Sequence, residues 1–207
     1  MFLFIRPYVI FSLWLLALLL LALLLAQSPK AFGSPKLVVL VSVDQLSPGR
    51  LSADMPGGLG RLMREGRVYT NAKLDHGLTN TCPGHVAMST GVNPGKAGIP
   101  GNSYIDHITG QQRYCVDDED DAHRVFGAQF NRSPKSMTAT TLGDWIKASS
   151  PVSRVFSVSG KDRSAITMAG KNPDGVYWYE RSVAKFTSSG YYGPLPNYVE
   201  AFNGDNF

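Results

Sequence analysis

The chain has 207 residues and a formal net charge of +4 at pH 7, from 20 Lys and Arg against 16 Asp and Glu. This length accommodates one domain, or one domain and part of another. The positive charge is mild and not gathered into tracts, and the acidic run Asp117–Asp121 interrupts it, so the composition argues against nucleic-acid binding. We interpret that run as a solvated loop rather than a calcium site.

An apolar segment of about 19 residues lies near the N-terminus, from Tyr8 to Ala26, and Arg6 precedes it. A short basic head followed by an apolar run is typical of a secretory signal. The run also approaches the ~20 residues that span a bilayer. We therefore predict a signal peptide or N-terminal membrane anchor over residues 1–33, which is the only expected contact with a membrane. In either case residues 34–207 are expected in the periplasm or outside the cell.

The first predicted element after this segment is a strand from Lys36 to Asp44, because the sequence KLVVLVSVD is a nearly continuous β-branched run. Such runs are typical of strands covered on both faces of a mostly parallel sheet. Asp44 then stands at the carboxyl end of the strand, the edge at which open α/β sheets bind ligands.

A short helix is predicted from Gly57 to Glu65, with Leu59, Leu62 and Met63 facing inward, and a weaker strand from Val68 to Leu74. A loop at 75–83 should lead into a helix over 84–90. A further helix, capped by a hydroxyl at 136 or 138, should run to 147.

The later part of the chain predicts strands at 154–158 and 176–179, and a turn-rich segment without a regular element from 186 onward. Strands that alternate with helices indicate a layered α/β fold. The two cysteines, Cys82 and Cys115, could pair in an oxidising compartment, but sequence does not fix the geometry that a disulfide needs, so the pairing stays open.

Three clusters of polar residues follow predicted strands: Asp44, the run around Thr81, and the run Lys161-Asp162-Arg163. Each has an ordinary structural interpretation, as a turn cap, a helix cap or a surface pair. Since all three follow strands, however, they could meet at one edge of one sheet.

A hydroxyl at a helix start suits phosphoryl chemistry, because the free N–H groups there attract anions. That attraction is worth only ~0.3–2 kcal/mol, whereas phosphate monoester hydrolysis needs up to roughly 28 kcal/mol of barrier reduction. A two-metal clamp is the usual way to supply the difference. Asp44 is a credible first ligand and Thr81 a second.

Several motifs together resemble the alkaline phosphatase superfamily, and within it the phosphate-insensitive alkaline phosphatases with a threonine nucleophile, relatives of the nucleotide pyrophosphatase/phosphodiesterases. The motifs are VDQ at 43–45, TNTCPGH at 79–85, STGVNP at 89–94, GIPGN at 98–102 and SGKDRSAITMAG at 159–170. The resemblance runs from about residue 36 to the end. It implies a three-layer αβα sandwich with a mostly parallel central sheet, of which this chain is the N-terminal part.

The resemblance also implies the roles of five residues. Asp44 is expected to bind zinc, and Thr81 to bind zinc and carry the phosphoryl group transiently. Asn102 is expected to donate a hydrogen bond to a phosphoryl oxygen, and Lys161 and Arg163 to hold the charged oxygens of a monoester. Two zinc ions are implied for the complete enzyme, with a small phosphate ester as substrate.

The pair Lys161 and Arg163 favours monoesters for a physical reason. A phosphate monoester is a dianion at neutral to alkaline pH, and Arg offers a fork of donors while Lys acts as a point charge. The phosphodiesterase branch of the family lacks this pair, so its presence favours an alkaline phosphatase. A phosphodiesterase or nucleotide pyrophosphatase on the same scaffold remains the alternative, as does a non-catalytic domain.

Other residues compete for these roles. Thr79 and Ser89 are alternative nucleophiles, but Thr81 is preferred because it precedes His85 by four residues, as in the family pattern. His85 is expected to be a structural hydrogen-bonding residue. Cys82 suggests a sulfatase, although the proline follows it one place too early and no Arg completes that motif.

The four histidines, at 76, 85, 107 and 123, do not match the family's Asp-x-x-x-His or Asp-His ligand patterns. The remaining metal ligands are therefore expected beyond Phe207, in a longer protein. We expect the 207 residues alone to hold half a site and to hydrolyse little or nothing.

Overall fold

The computed structural model describes residues 35–206. The chain divides into two units, residues 1–41 and 42–207. Of the first unit only 35–41 are described, and they have no regular secondary structure. The predicted signal or anchor over 1–33 lies outside the described residues. Within residues 35–206, no helix combines the length and the apolar composition that crossing a bilayer requires.

The second unit contains five α-helices and five short strands among its described residues. The helices are α1 (Gly57–Glu65), α2 (Thr81–Thr90), α3 (Leu142–Ser149), α4 (Asp162–Ala169) and α5 (Asn197–Asn206), and the strands are β1 (Ser103–Ile105), β2 (Gln112–Tyr114), β3 (Phe156–Ser159), β4 (Gly175–Glu180) and β5 (Lys185–Thr187). Three single turns of 3₁₀ helix lie at Pro48–Arg50, Asp121–His123 and Gly190–Tyr192. The predicted mixture of helices and strands is therefore confirmed.

The strands form two separate sheets. β1 and β2 are an antiparallel hairpin, while β3, β4 and β5 form a sheet in that order, with β3 parallel and β5 antiparallel to β4. Helix α4 connects β3 to β4, so these elements are a βαβ unit. β4 is central, and its first four residues, from Gly175 to Trp178, are buried. Whether a larger, mostly parallel central sheet lies between two helical layers stays a prediction.

The core surrounds α2, which packs against α4. Near the end of α2, the buried Ser89 hydroxyl donates a hydrogen bond to the main-chain oxygen of Thr167 in α4, at 2.7 Å. Gly91 ends α2 with a positive φ of 67°, a conformation that favours glycine. The buried apolar residues are Cys82, Val86, Ala97, Ile99, Cys115, Val116, Val125, Ala128, Met137, Ala165, Ile166, Ala169, Val176 and Trp178.

Two predicted strands are wrong. Residues 36–44 have no strand pairing among the described residues, and Leu37, Val39 and Val41 expose 77%, 69% and 72% of their surface. β-branched residues stabilise a strand only where a neighbouring strand completes the ladder and covers the side chains. The segment from Val68 to Leu74 likewise forms turns and loop.

The predicted helices form, with corrections to their ends and faces. α1 has the predicted bounds, but Leu59 and Leu62 are exposed and only Gly60 is buried. α2 begins at 81, three residues earlier than predicted. α3 begins at 142 because Thr141 and Asp144 form a capping box there. The predicted cap, a hydroxyl at 136 or 138, is therefore wrong.

The C-terminal part contains regular elements that were not predicted. β5 and α5 both lie in the segment that the sequence indicated as turn-rich. The Asn203 side chain in α5 explains their association, because its Oδ1 accepts a hydrogen bond from the Phe186 N–H and its Nδ2 donates one to the Phe186 carbonyl oxygen. Because this contact joins one polar side chain to main-chain atoms, it produces no periodic apolar pattern in the sequence that would predict β5 or α5.

The acidic run is only partly solvated. Asp118 is almost fully buried, with 2% of its side chain exposed, and it accepts hydrogen bonds from Ser133 and His123. Burial acts to raise the pKa of Asp118, but these hydrogen bonds prevail and lower it to about 2. The carboxylate therefore holds two loops together as a structural residue.

Candidate active site

Asp44 contacts two of the other predicted site residues. Its Oδ2 accepts a hydrogen bond from the Thr81 hydroxyl at 3.3 Å and another from the Lys161 ammonium at 2.6 Å. Asp44 lies within a turn that is closed by a hydrogen bond from the Leu46 N–H to the Val43 carbonyl oxygen. Residues that are 37 and 117 positions apart from Asp44 in sequence thus contact one carboxylate oxygen.

The charge of Asp44 is stabilised by these neighbours. The hydrogen bond from Lys161 lowers its pKa below the usual range, and the positive charge of Lys161 adds to the effect against the opposing influence of burial. Both side chains are partly exposed, at 36% for Asp44 and 37% for Lys161. The carboxylate is therefore ionised at neutral pH and accessible from solvent.

Thr81 is the first residue of α2 and is half-buried. Its position places the hydroxyl where the free N–H groups of the helix attract an anion. Nδ1 of His85 lies 2.7 Å from the Thr81 carbonyl oxygen. His85 thus contacts the first turn of the helix, in agreement with the structural role predicted for it.

Asn102 lies beside the start of the same helix. Its Oδ1 accepts a hydrogen bond from the main-chain N–H of Cys82 at 2.8 Å. An amide whose oxygen accepts a hydrogen bond retains its NH₂ group as the donor. The structure therefore places an amide donor next to the residue that follows Thr81.

Arg163 is in the first turn of α4, two residues after Lys161, and contacts a different partner. Its Nη1 donates to the Tyr114 hydroxyl at 3.0 Å, and this hydroxyl donates to Asp162 Oδ1 at 2.7 Å. Arg132 Nε donates to the other oxygen of Asp162 at 2.8 Å. Burial, together with the charge of Asp162, raises the pKa of Tyr114, so its hydroxyl stays protonated.

The sequence placed Asp162 in the third cluster but indicated no role for it, and it did not indicate Tyr114 at all. The Asp is visible within the motif at 159–170, between the two cations, and its position there is the only signal that could have identified it. Tyr114 gives no sequence signal, because it reaches Arg163 from 49 positions away.

The alternative nucleophiles differ in their accessibility to a substrate. Ser89 has 2% of its surface exposed, and its hydroxyl donates to main-chain oxygens, so it is inaccessible to a substrate. Cys82 is bonded to Cys115 in a disulfide and is therefore not available for conversion to the formylglycine of a sulfatase. Thr79 is exposed, in the loop before α2.

The residues that could hold a metal are Asp44 and Thr81. Two oxygen ligands of a tetrahedral zinc ion lie roughly 3.3–3.6 Å apart when each is ~2.0–2.2 Å from the metal. The observed 3.3 Å between the Thr81 hydroxyl and the Asp44 carboxylate fits such an arrangement. Within residues 35–206, no three His, Cys, Asp or Glu side chains gather in a metal-binding group. These two residues could therefore supply two of the oxygen ligands of a metal ion.

A comparison with known families identifies residues 38–206 as a match to the type I phosphodiesterase / nucleotide pyrophosphatase family. The chain belongs to this family. With it the chain belongs to the alkaline phosphatase superfamily, which confirms the resemblance found in the motifs.

Several similar proteins are named alkaline phosphatases. The chain is 36% identical to alkaline phosphatase PafA of Elizabethkingia meningoseptica over 93% of its length, and 39% identical to alkaline phosphatase PhoK of a Sphingomonas species over 70%. It is also 36% identical to alkaline phosphatase PhoV of Synechococcus elongatus over 84%. The matches cover 37%, 27% and 33% of these relatives, so the chain spans about a third of their length.

Solved structures show the same fold. The wild-type crystal structure of PafA matches with a TM-score of 0.68 and 35% identity, over 72% of this chain and 30% of that one. A PafA variant with substitutions at one threonine, one asparagine, one lysine and one arginine matches with a TM-score of 0.58 and 33% identity, over 62% of this chain and 26% of that one. The expected alkaline-phosphatase-like α/β fold is confirmed over the shared part.

Proposed function

We propose that residues 34–207 are the N-terminal part of the catalytic domain of a zinc-dependent phosphate monoester hydrolase, an alkaline phosphatase located outside the cytoplasm. The observation that carries this proposal is the contact of both Thr81 and Lys161 with one oxygen of Asp44. A carboxylate, an alcohol and a cation from distant parts of the sequence are together at the start of a helix. Family membership supports a phosphate ester as the small-molecule substrate.

The proposed reaction begins with attack by the Thr81 hydroxyl oxygen on phosphorus. The bond between this oxygen and phosphorus forms as the bond from phosphorus to the leaving oxygen breaks, and the proton lost by Thr81 ends on that oxygen, which gives a phosphothreonine and a free alcohol. Water then attacks the phosphothreonine and releases inorganic phosphate, and Thr81 regains its proton. Zinc, held partly by Asp44 and Thr81, would lower the pKa of the threonine hydroxyl and neutralise developing negative charge.

Three further side chains would stabilise the phosphoryl group. The Asn102 amide donates a hydrogen bond, while Lys161 and Arg163 contribute positive charge. The substituted PafA variant supports this assignment through its spacing. Twenty-one positions separate its threonine from its asparagine, and two separate its lysine from its arginine, as for Thr81 and Asn102 and for Lys161 and Arg163 here.

A phosphodiesterase or nucleotide pyrophosphatase is the second candidate, and the matched family description favours it. The cations distinguish the two candidates. A diester carries one charged oxygen fewer than a monoester, and the ammonium of Lys161, which shares Asp44 with Thr81, stabilises a dianion more than a monoanion. We therefore expect faster turnover of an aryl phosphate than of the corresponding diester.

The test is a pair of threonine substitutions in the full-length protein, assayed with p-nitrophenyl phosphate. Thr81→Ala should remove nearly all turnover, while Thr79→Ala, two residues away in the exposed loop, should retain it. Acid quenching during turnover followed by peptide mass spectrometry should locate the phosphate on Thr81. Unchanged turnover in Thr81→Ala, or phosphate on Thr79, would overturn the assignment of the nucleophile.

A further inference from the structure

A disulfide joins the two elements that carry Thr81 and Asn102. Cys82 directly follows Thr81 in α2, and Cys115 directly follows β2, the second strand of the hairpin that Asn102 precedes. Both half-cystines are completely buried. The disulfide therefore connects the nucleophile helix to the hairpin one residue away from the proposed nucleophile.

Asn102 is held between the two half-cystines. The Cys82 N–H donates to Asn102 Oδ1 at 2.8 Å, and the Cys115 N–H donates to the main-chain oxygen of Asn102 at 2.9 Å. The two hydrogen bonds and the disulfide close a ring that passes through one asparagine. Because Oδ1 is occupied by the Cys82 N–H, the orientation of the amide is set and its Nδ2 group is the end that can donate to a ligand.

The hairpin needs such a connection. β1 and β2 have three residues each, and within the described part of the chain they pair with no third strand. A two-stranded hairpin of this length is marginally stable by itself. Outside the hairpin, its side chains contact the protein through the Tyr104 hydroxyl, which donates to Ser136 at 3.2 Å, through an ion pair of Arg113, and through the hydrogen bonds of Tyr114 described above. The disulfide is thus the covalent restraint on the distance between Asn102 and the first turn of α2.

We propose that the Cys82–Cys115 disulfide is a positioning device for Asn102, one that keeps the amide donor directed at the phosphoryl group on Thr81. This inference rests on the proposed function. A misplacement of about 1 Å in a group that contacts the reacting atoms can cost on the order of 10²-fold in rate. Opening the disulfide under reducing conditions should therefore lower turnover through Asn102, while the nucleophile itself stays intact.

The activity test is a double-mutant cycle in the full-length protein. Serine at both half-cystines (C82S with C115S) preserves the two main-chain N–H donors and removes the covalent bond, although it places two hydroxyl groups at buried positions. In protein that retains Asn102, we expect the two serine substitutions to lower kcat on p-nitrophenyl phosphate about tenfold. In protein that already carries Asn102→Ala, we expect them to lower kcat by less than about twofold. An equal fall in both backgrounds, or no fall in either, overturns the proposal.

A control distinguishes positioning from lost stability. Thr141→Ala removes the capping box of α3, away from Asn102, and should lower the melting temperature without changing kcat at 25 °C. If the double serine protein does not fold, two other proteins allow the comparison of kcat with and without the disulfide. One is the wild-type protein after mild reduction and thiol blocking, and the other is the variant Cys82→Ala/Cys115→Val. A fall in kcat with Thr141→Ala as large as that from loss of the disulfide would overturn the proposal.

A second readout is independent of activity. In ¹⁵N-labelled protein the side-chain amide signals of Asn102, identified by their loss in Asn102→Ala, should lie at distinct shifts and move toward those of a free asparagine after the disulfide is opened. If the wild-type protein is not a phosphatase, the proposed function fails, but this shift still supports the positioning of Asn102. Signals that do not move on reduction overturn the proposal whatever the activity.

Discussion

Lys161 is the residue whose removal should most clearly separate monoesters from diesters. Its ammonium lies 2.6 Å from Asp44 Oδ2, beside the Thr81 hydroxyl. Lys161→Ala removes this positive charge and leaves Asp44, Thr81 and the helix in place. Asp44 loses the hydrogen bond that lowers its pKa, but an unperturbed aspartate is also fully ionised at pH 8. A loss of rate at pH 8 that is confined to monoesters is therefore the result expected from the proposed contact between Lys161 and the substrate, and protonation of Asp44 does not account for it.

The expected magnitude follows from the exposure of the lysine. Hydrogen bonds to charged groups contribute about 1.5–3 kcal/mol, and the lower half of this range applies because 37% of the Lys161 side chain is exposed. A loss of about 1.5–2 kcal/mol corresponds to a fall of about 10- to 30-fold in kcat/KM for a monoester. A diester lacks the second charged oxygen, so its kcat/KM should change by less than about threefold.

The assay compares p-nitrophenyl phosphate with methyl p-nitrophenyl phosphate at pH 8 in the full-length protein. Lys171→Ala is the matched control, because this exposed lysine lies just beyond the other end of α4 and carries the same charge. It should change neither substrate's kcat/KM. Equal losses on both substrates with Lys161→Ala, or a similar loss with Lys171→Ala, would refute the argument that Lys161 recognises the dianion.

Three further results are expected. Tyr114→Phe removes the hydroxyl to which Arg163 donates, and should lower kcat/KM for the monoester about tenfold. The same substitution should have less effect when Arg163→Ala is already present, and an equal effect in both backgrounds would contradict a functional role for this hydrogen bond. Reduction of the Cys82–Cys115 disulfide should lower the free energy of unfolding in urea by about 3–4 kcal/mol, from the loop it closes, and an unchanged midpoint would exclude this contribution. Burial acts to raise the pKa of Asp174, but hydrogen bonds from an arginine, a lysine and a main-chain N–H lower it to about 2. Its contribution of about 1 kcal/mol to the free energy of unfolding is therefore complete above pH 4 and lost as the pH falls toward 2. Asp174→Asn should flatten the pH dependence of the melting temperature in this range.

The contacts at the candidate site were accessible from sequence because they involve residues at element ends. Asp44, Thr81, Lys161 and Arg163 were predicted to meet, because their clusters follow predicted strands and match the motifs of a known family. The first three do meet although the predicted strand before Asp44 does not form, whereas Arg163 contacts Tyr114. Strand pairing was not needed, because a short turn and two helix starts bring the side chains together.

The remaining features depend on contacts that leave no local pattern. Tyr114 contacts Arg163 across 49 positions, and no periodicity or cap indicates such a pair. The inward face assigned to α1 was wrong because an amphipathic pattern shows which side chains could be buried but not whether another element covers them. The cysteine pairing was open for a similar reason, since it depends on a distance that only the folded chain determines.

The hydrogen bond from Ser89 to Thr167 has an evolutionary consequence. Ser89 lies eight residues beyond Thr81 on the same helix, or about 12 Å along its axis, and it joins α2 to the helix that begins with Asp162 and Arg163. Small changes at this buried contact should tilt one helix against the other and alter the spacing of the side chains at their opposite ends. Under the proposed function, mutations at such positions would change the catalytic rate during adaptation to new temperatures or substrates without replacing any residue proposed to contact the phosphoryl group.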